Sequence, residues 1–172
     1  NKSILITGGT GSFGRKFVET VFKKFKPKKV IIYSRDEQKH FQLQKKWKFK
    51  NIRFFIGDVR DLNRLSHAMD GVDIVIHAAA LKHVSMSEYN PFEAVKTNID
   101  GSNNIINASI QNNVSKLVIL STDKAVMPIN AMGISKAMME KIAIANARYC
   151  RDENINTKIC VTRYGNVMSS RE

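Results

Sequence analysis

Thr7-Gly8-Gly9-Thr10-Gly11-Ser12-Phe13-Gly14 follows directly on the apolar run Ile4-Leu5-Ile6 and opens an amphipathic stretch. Glycines at 8, 11 and 14 permit a tight turn, a close backbone approach and a helix that begins at the end of a strand. In that setting backbone N–H groups and a helix N-terminus face outward together, and their partial positive charge suits a pyrophosphate. A glycine triplet alone is a weak sign, and a turn without a ligand is the alternative; the strand before it and the helix after it give it meaning. Gly8, Thr10, Gly11, Ser12, Phe13 and Gly14 are the expected dinucleotide contacts.

Outward from this loop, short apolar runs alternate with amphipathic stretches, and no repeat or low-complexity linker interrupts them. The runs predict strands at 4–7, 30–33, 53–56, 73–77, 117–121 and 158–163, rich in Ile and Val as strands covered on both faces should be. Helices are expected at about 13–25, 36–47, 62–69, 91–111 and 131–149, with Pro91 suited to a first helical turn. The pattern is βαβ throughout. It predicts a doubly wound α/β domain over residues 1–172 with a parallel six-stranded sheet, its ligand crevice at the carboxyl ends of the strands.

The second strand should end at the adenosine ribose, where an NAD-specific fold presents an acid. This chain instead reads Tyr33-Ser34-Arg35-Asp36. A guanidinium at Arg35, beside Ser34, pairs with a 2′-phosphate, so NADP is favoured over NAD; Asp36 turned toward the ribose would reverse that preference. Gly57-Asp58-Val59 offers a carboxylate to the adenine amino group, unless Asp58 merely caps a helix, a role that Asp61 is also able to fill.

Composition narrows the rest. The chain has 172 residues, two cysteines and a formal net charge of +13. Length and apolar content suit one globular domain, and Cys150 and Cys160 fit neither a metal spacing nor a disulfide framework, so a reducing cytoplasm is expected. No apolar run reaches the ~20 residues of a membrane span, and no signal core is visible. Lysines cluster at Lys23, Lys24, Lys26, Lys28 and Lys29 and again at Lys45, Lys46, Lys48 and Lys50. Solvated helix ends account for them most simply; nucleic acid and membrane are not expected partners, and attraction of anionic nucleotides is the alternative.

With the glycine loop, His77-Ala78-Ala79-Ala80, Ser121-Thr122-Asp123-Lys124, Gly133-Ile134-Ser135-Lys136 and Arg163-Tyr164-Gly165-Asn166-Val167 in this order, the chain resembles extended short-chain dehydrogenases/reductases over its whole length. Tyr33-Ser34-Arg35-Asp36-Glu37, Phe54-Phe55-Ile56-Gly57-Asp58-Val59-Arg60-Asp61 and Ala79-Ala80-Leu81-Lys82-His83-Val84 are similar to the UDP-N-acetylglucosamine 4,6-dehydratases that invert C5 and serve surface polysaccharide and flagellin glycan synthesis. The resemblance implies a lyase, a UDP-sugar substrate and a dimer or hexamer. It also implies a substrate domain of about equal length beyond Glu172, which this chain does not contain.

It implies site residues as well. Ser34, Arg35, Asp58, Val59, Ala78, Ala79, Ala80, Lys82, Ser121, Lys136 and Tyr164 join the glycine loop around the cofactor, and Lys82 and Asn166 would touch substrate. Asp123 and Lys124 form the elimination pair: Lys124 as base for C5–H, and Asp123, its pKa raised, as acid for the C6 hydroxyl. Thr122 and Ser121 would bind the C4 oxygen. Met132 stands where most of the superfamily carries a tyrosine, four residues before Lys136, so the group that deprotonates the C4 hydroxyl is open. His83 is expected to pack, Asn98 to be a buried structural amide, and Met138 and Met139 to lie in the core. A UDP-sugar 4-epimerase and a non-catalytic NADP-binding module are the competing readings.

Overall fold

The computed structural model describes residues 1–165, in which every strand of the predicted sheet is present. The strands are β1 (Ser3–Thr7), β2 (Lys29–Ser34), β3 (Ile52–Ile56), β4 (Ile74–His77), β5 (Lys116–Thr122) and β6 (Lys158–Tyr164). All neighbours pair in parallel, in the order β3-β2-β1-β4-β5-β6. The order reverses between β1 and β4, which puts the crevice of a doubly wound sheet at the ends of these two strands. The helices are α1 (Ser12–Lys24), α2 (Glu37–Lys46), α3 (Leu62–Ala68), α4 (Val84–Tyr89), α5 (Pro91–Ala94), α6 (Gly101–Gln111) and α7 (Ala131–Asp152).

Alternation along each strand explains why the runs are apolar at every position. Leu5, Ile31, Val75, Leu117 and Ile119 face one side, where Leu65 of α3, Ile105 and Ile106 of α6 and Met139 of α7 cover them. Ile6, Val30, Ile32 and Ile76 face the other, against Val18 and Val21 of α1 and Leu43 of α2. Both faces are dry, so neither set of side chains is polar. Helix starts follow side-chain chemistry: the carboxylates of Asp36 and Asp61 accept the N–H groups of Lys39 and Arg64, and the Asn130 amide oxygen accepts from Gly133.

Three local features depart from expectation. The predicted helix 91–111 is broken into α5, a π-helical turn over Val95–Asp100 and α6. At the break the Ser102 hydroxyl donates to the Asn98 carbonyl (2.7 Å), and the Gly101 N–H bonds to Lys96 O, five residues back. Helix α4 and a 3₁₀ turn at Asp123–Ala125 occupy segments expected to be irregular. Both are too short for hydrophobic periodicity to register.

Candidate active site

The glycine loop leaves β1 with Gly8 at φ +65°, its N–H bonded to Tyr33 O and its carbonyl accepting from Gly11 (both 2.9 Å). A Cβ on Gly8 would lie 2.9 Å from the Ala79 nitrogen, and one on Gly14 would lie 2.5 Å from Gly9 Cα. Glycine is thus required where β1, α1 and the Ala78-Ala79 segment meet. No side chain caps α1, in contrast to α2, α3 and α7, so its first N–H groups are left for an anion. These are the properties a dinucleotide pyrophosphate needs. Thr10 bonds to Ser34 (2.9 Å), tying the loop to the end of β2, while Ser12 and Phe13 are exposed.

Asp36 is turned back onto its own helix. Its carboxylate caps α2 and pairs with Lys39 at 2.6 Å, and that contact holds it below the usual carboxylate range. Arg35 is more than half exposed and only loosely paired with Asp58, at 3.4 Å. Asp58 is not a helix cap, since Asp61 takes that role. Burial opposes its charge, but hydrogen bonds from Arg60 prevail and keep its carboxyl below the usual range. Val59 is buried behind it.

Beneath the loop lies a chain of buried hydrogen bonds absent from the expected site. Thr7 Oγ1 accepts from the N–H groups of Ala78 and Ala79 (3.1 and 3.2 Å), so its proton goes to His77 Nδ1 (2.7 Å). On the far side Ser102 gives its proton to Asn98 O, so its oxygen accepts from His77 Nε2–H (3.0 Å). Each donor has one acceptor, which assigns His77 the neutral Nε2–H tautomer. Asn98, on the π-helical turn, continues the system: its amide clasps the backbone of Leu81 at both N–H and O and donates to Ser135, which donates to Met132 O. Ala78, Ala79 and Ala80 are thereby held between loop and helix α7. Lys82 and His83 lie exposed beyond them.

On α7, Met132 and Lys136 share one face and both are buried. The Lys136 ammonium donates to Leu120 O (2.7 Å) and approaches Met139 Sδ. Burial pulls its pKa down to about 8, against the opposing pull of Glu140 one turn further on. Sequence reading missed Glu140, although a glutamate four residues after the lysine is a visible signal. Its carboxylate is nearly buried and accepts from Ser121 and, in a fork, from Arg163 (Nε 3.0 Å, Nη2 2.6 Å), whose hydrogen bonds keep it ionised. The Ser121 hydroxyl proton is therefore committed to Glu140, while its oxygen keeps its capacity to accept.

Thr122, Asp123 and Lys124 stand at the carboxyl end of β5. Gly133 makes this possible, because a Cβ there would meet Lys124 O at 2.5 Å. The first turn of α7 therefore packs directly on the Asp123–Ala125 turn. Thr122 donates its hydroxyl to Asp123 Oδ1 (2.8 Å), and the Lys124 N–H donates to the same oxygen (2.9 Å), with the ammonium 3.6 Å away. The Thr122 bond, with Lys124, lowers the Asp123 pKa. A raised carboxyl was expected, so the resting state of Asp123 is corrected to the ionised form. Tyr164 pairs in register with Thr122, its phenol pushed up by burial; Asn166 lies outside the described residues. Among the described residues no cluster of His, Cys, Asp or Glu is placed to hold a metal, and no helix is long and apolar enough to cross a membrane.

A glycine-cradled, uncapped helix at the switch point of a parallel sheet, with a lysine-bearing helix beside it, defines the nucleotide-binding domain of a short-chain dehydrogenase/reductase. Residues 4–172 match the model of a family described as polysaccharide biosynthesis proteins, and the chain belongs to that family. It is 51% identical over 170 residues to an inverting UDP-N-acetylglucosamine 4,6-dehydratase of Campylobacter jejuni, covering 99% of this chain and 50% of that protein. It is 52% identical over 175 residues to a UDP-glucose 4-epimerase of Rickettsia bellii, with the same coverage of each chain. Among solved structures, Pen from Bacillus thuringiensis superposes with a TM-score of 0.95 at 42% identity, over 99% of this chain and 52% of that one. The chain spans about half the length of the curated relatives it matches.

Proposed function

We propose that this chain is the cofactor-binding part of an enzyme that carries out 4,6-dehydration of UDP-N-acetylglucosamine, losing water across C5 and C6 with inversion at C5 and supplying a 4-keto-6-deoxy sugar nucleotide for surface polysaccharide or flagellin glycan. The observation that carries the reading is the Asp123–Lys124 turn, fixed against α7 by Gly133 at the carboxyl end of β5, the end of the sheet that carries the crevice. A bound nicotinamide dinucleotide would supply hydride acceptance from C4 and hydride return to C6. The ionised Asp123 takes the C4 hydroxyl proton, filling the gap that Met132 leaves. Now protonated, it gives that proton to the C6 hydroxyl as water departs, while Lys124, as the neutral amine after releasing its ammonium proton to solvent, removes the C5 proton and later returns it to the opposite face. Ketone formation at C4 acidifies C5–H, so the order of steps follows from one carboxylate serving twice. Lys136 stays beneath, orienting the cofactor ribose.

The relatives named as 4-epimerases support a second reading, in which C4 is oxidised and reduced without loss of water. Incubating the full-length protein with UDP-N-acetylglucosamine and measuring product mass separates the two. A loss of one water supports dehydration; an unchanged mass with inverted C4 supports epimerisation and removes the elimination roles.

For the cofactor we favour NADP, because Asp36 is spent on α2 and Arg35 keeps an exposed guanidinium at the end of β2. Arg35→Ala should weaken NADP binding on the order of 10-fold and leave NAD nearly unchanged, the scale of one charge-assisted hydrogen bond. Calorimetric titration of both cofactors into both proteins checks this; an unaltered preference in the variant removes Arg35 from the account. The family reading also points to a cytoplasmic homo-oligomer, which sedimentation would measure.

A further inference from the structure

Residues 15–53 contain fourteen of the Lys and Arg residues against three acids, so eleven of the thirteen net positive charges fall in this segment. Folding concentrates them further. The two lysine clusters are separated in sequence, but Phe22 of α1 stacks on Phe49 at 4.0 Å, Trp47 donates to Glu19, and the Asn51 amide donates to Pro27 O. These contacts bring the carboxyl end of α1 against the segment after α2 and merge the clusters into one surface. Lys23, Lys24, Lys26 and Lys28 are all exposed there, as are Lys45, Lys46, Lys48 and Lys50. In their midst Phe25, just past the end of α1, is 66% exposed between Lys24 and Lys26.

Helix dipoles account for part of this. Lys23 and Lys24 lie in the last turn of α1, and Lys45 and Lys46 in that of α2, where cations are favoured. Lys26, Lys28, Lys48 and Lys50 lie beyond either helix and gain nothing from it. Steering of nucleotides to the crevice does not account for them either. The patch borders the amino ends of the strands, where Lys28 N–H bonds to Lys2 O and Val30 N–H to Asn51 O, at the opposite end of the sheet from the glycine loop. We propose that this face docks the protein on a membrane surface bearing anionic phospholipid headgroups, with Phe25 entering the headgroup layer. Eight lysines beside a single arginine, Arg53, whose guanidinium donates to the Lys50 and Ile52 carbonyls, suit diffuse attraction to a charged surface rather than the forked phosphate contacts typical of nucleic acid. Phe22 and Phe49 are spent on each other, which leaves Phe25 as the exposed ring between the lysines. The proposal concerns a surface remote from the site and holds whichever reaction the site performs.

The test is sedimentation of the full-length protein with vesicles of phosphatidylcholine containing phosphatidylglycerol, against phosphatidylcholine alone. Binding should require the anionic lipid and weaken steeply as salt rises from about 0.05 to 0.5 M. Substituting Gln at Lys24, Lys26, Lys48 and Lys50 should reduce partitioning on the order of 1000-fold. The same substitution at Lys116, Lys141, Arg148 and Lys158, exposed residues elsewhere on the chain, changes net charge equally and should cost far less. A Phe25→Trp variant should shift its emission to the blue on vesicles; Trp47, at 6% exposure, is already buried and supplies a constant background. Equal losses in the two quadruple variants, or no shift from Phe25→Trp, would overturn the proposal. Tighter binding to duplex DNA than to the vesicles would assign the face to nucleic acid instead.

Discussion

Asp123→Asn in the full-length enzyme should abolish the first half of the reaction as well as the second. The ionised carboxylate is the group placed to accept the C4 proton, and the neighbouring Met132 has no proton to exchange. Without that acceptor, hydride transfer stalls, and absorbance of the reduced cofactor should not appear on addition of sugar nucleotide. Lys124→Ala should behave differently. Oxidation at C4 should continue and reduced cofactor accumulate, while exchange of C5 hydrogen with deuterated solvent and loss of water both stop. General acid–base groups of this kind each contribute ~10²–10⁴-fold in rate. The pair of readouts therefore distinguishes the roles even when both variants are inactive overall. If Asp123→Asn still reduces cofactor at the wild-type rate, the carboxylate is only the leaving-group acid and another base serves C4.

This assignment shows what sequence does and does not carry. The sheet and the glycine loop were legible because their signals are local: apolar runs, glycine spacing, Asp36 and Asp61 before helices. Met132 and the Asp123-Lys124 pair were visible as residues, but their protonation was not. The state of Asp123 depends on the Thr122 hydroxyl lying 2.8 Å away, a rotamer that no spacing specifies. Glu140 gathers Ser121 from β5 and Arg163 from β6, contacts 19 and 23 residues distant in sequence. Gly133 was quoted within a motif; its reason, the carbonyl of Lys124 where a Cβ would be, exists only once α7 is docked. The misread Pro91–Gln111 helix is comparable, since at its bulge Ser102 and Asn98 serve partners outside the helix.

His77 leads to the second large effect, on stability against acid. Burial pushes its pKa down from 6.5 to about 3, and Lys136 adds repulsion to the charged form. The hydrogen bonds point the same way, since Nδ1 must accept from Thr7 and a second ring proton would have no acceptor. In the unfolded chain this imidazole titrates near 6.5, so below that pH the unfolded state binds a proton that the folded state refuses. Stability is therefore fully present above pH 6.5 and declines toward pH 3, by ~1.4 kcal/mol per unit, or ~2 kcal/mol by pH 5. Asp36, Asp123 and Glu140, with lowered pKa values, release their share only in more acidic solution, which leaves the interval from 6.5 to 5 to histidine. His40 adds to it, being buried among apolar side chains and shifted down by that burial. Urea unfolding at pH 7, 6 and 5 should show this fall in wild type. In His77→Gln the protein should start ~1–3 kcal/mol lower at pH 7, because Thr7 or Ser102 loses a buried partner, yet lose less on acidification. Parallel declines in the two proteins would mean that His77 accepts its proton without unfolding, and that the hydrogen-bond chain from Ala78 to Asn98 tolerates an imidazolium.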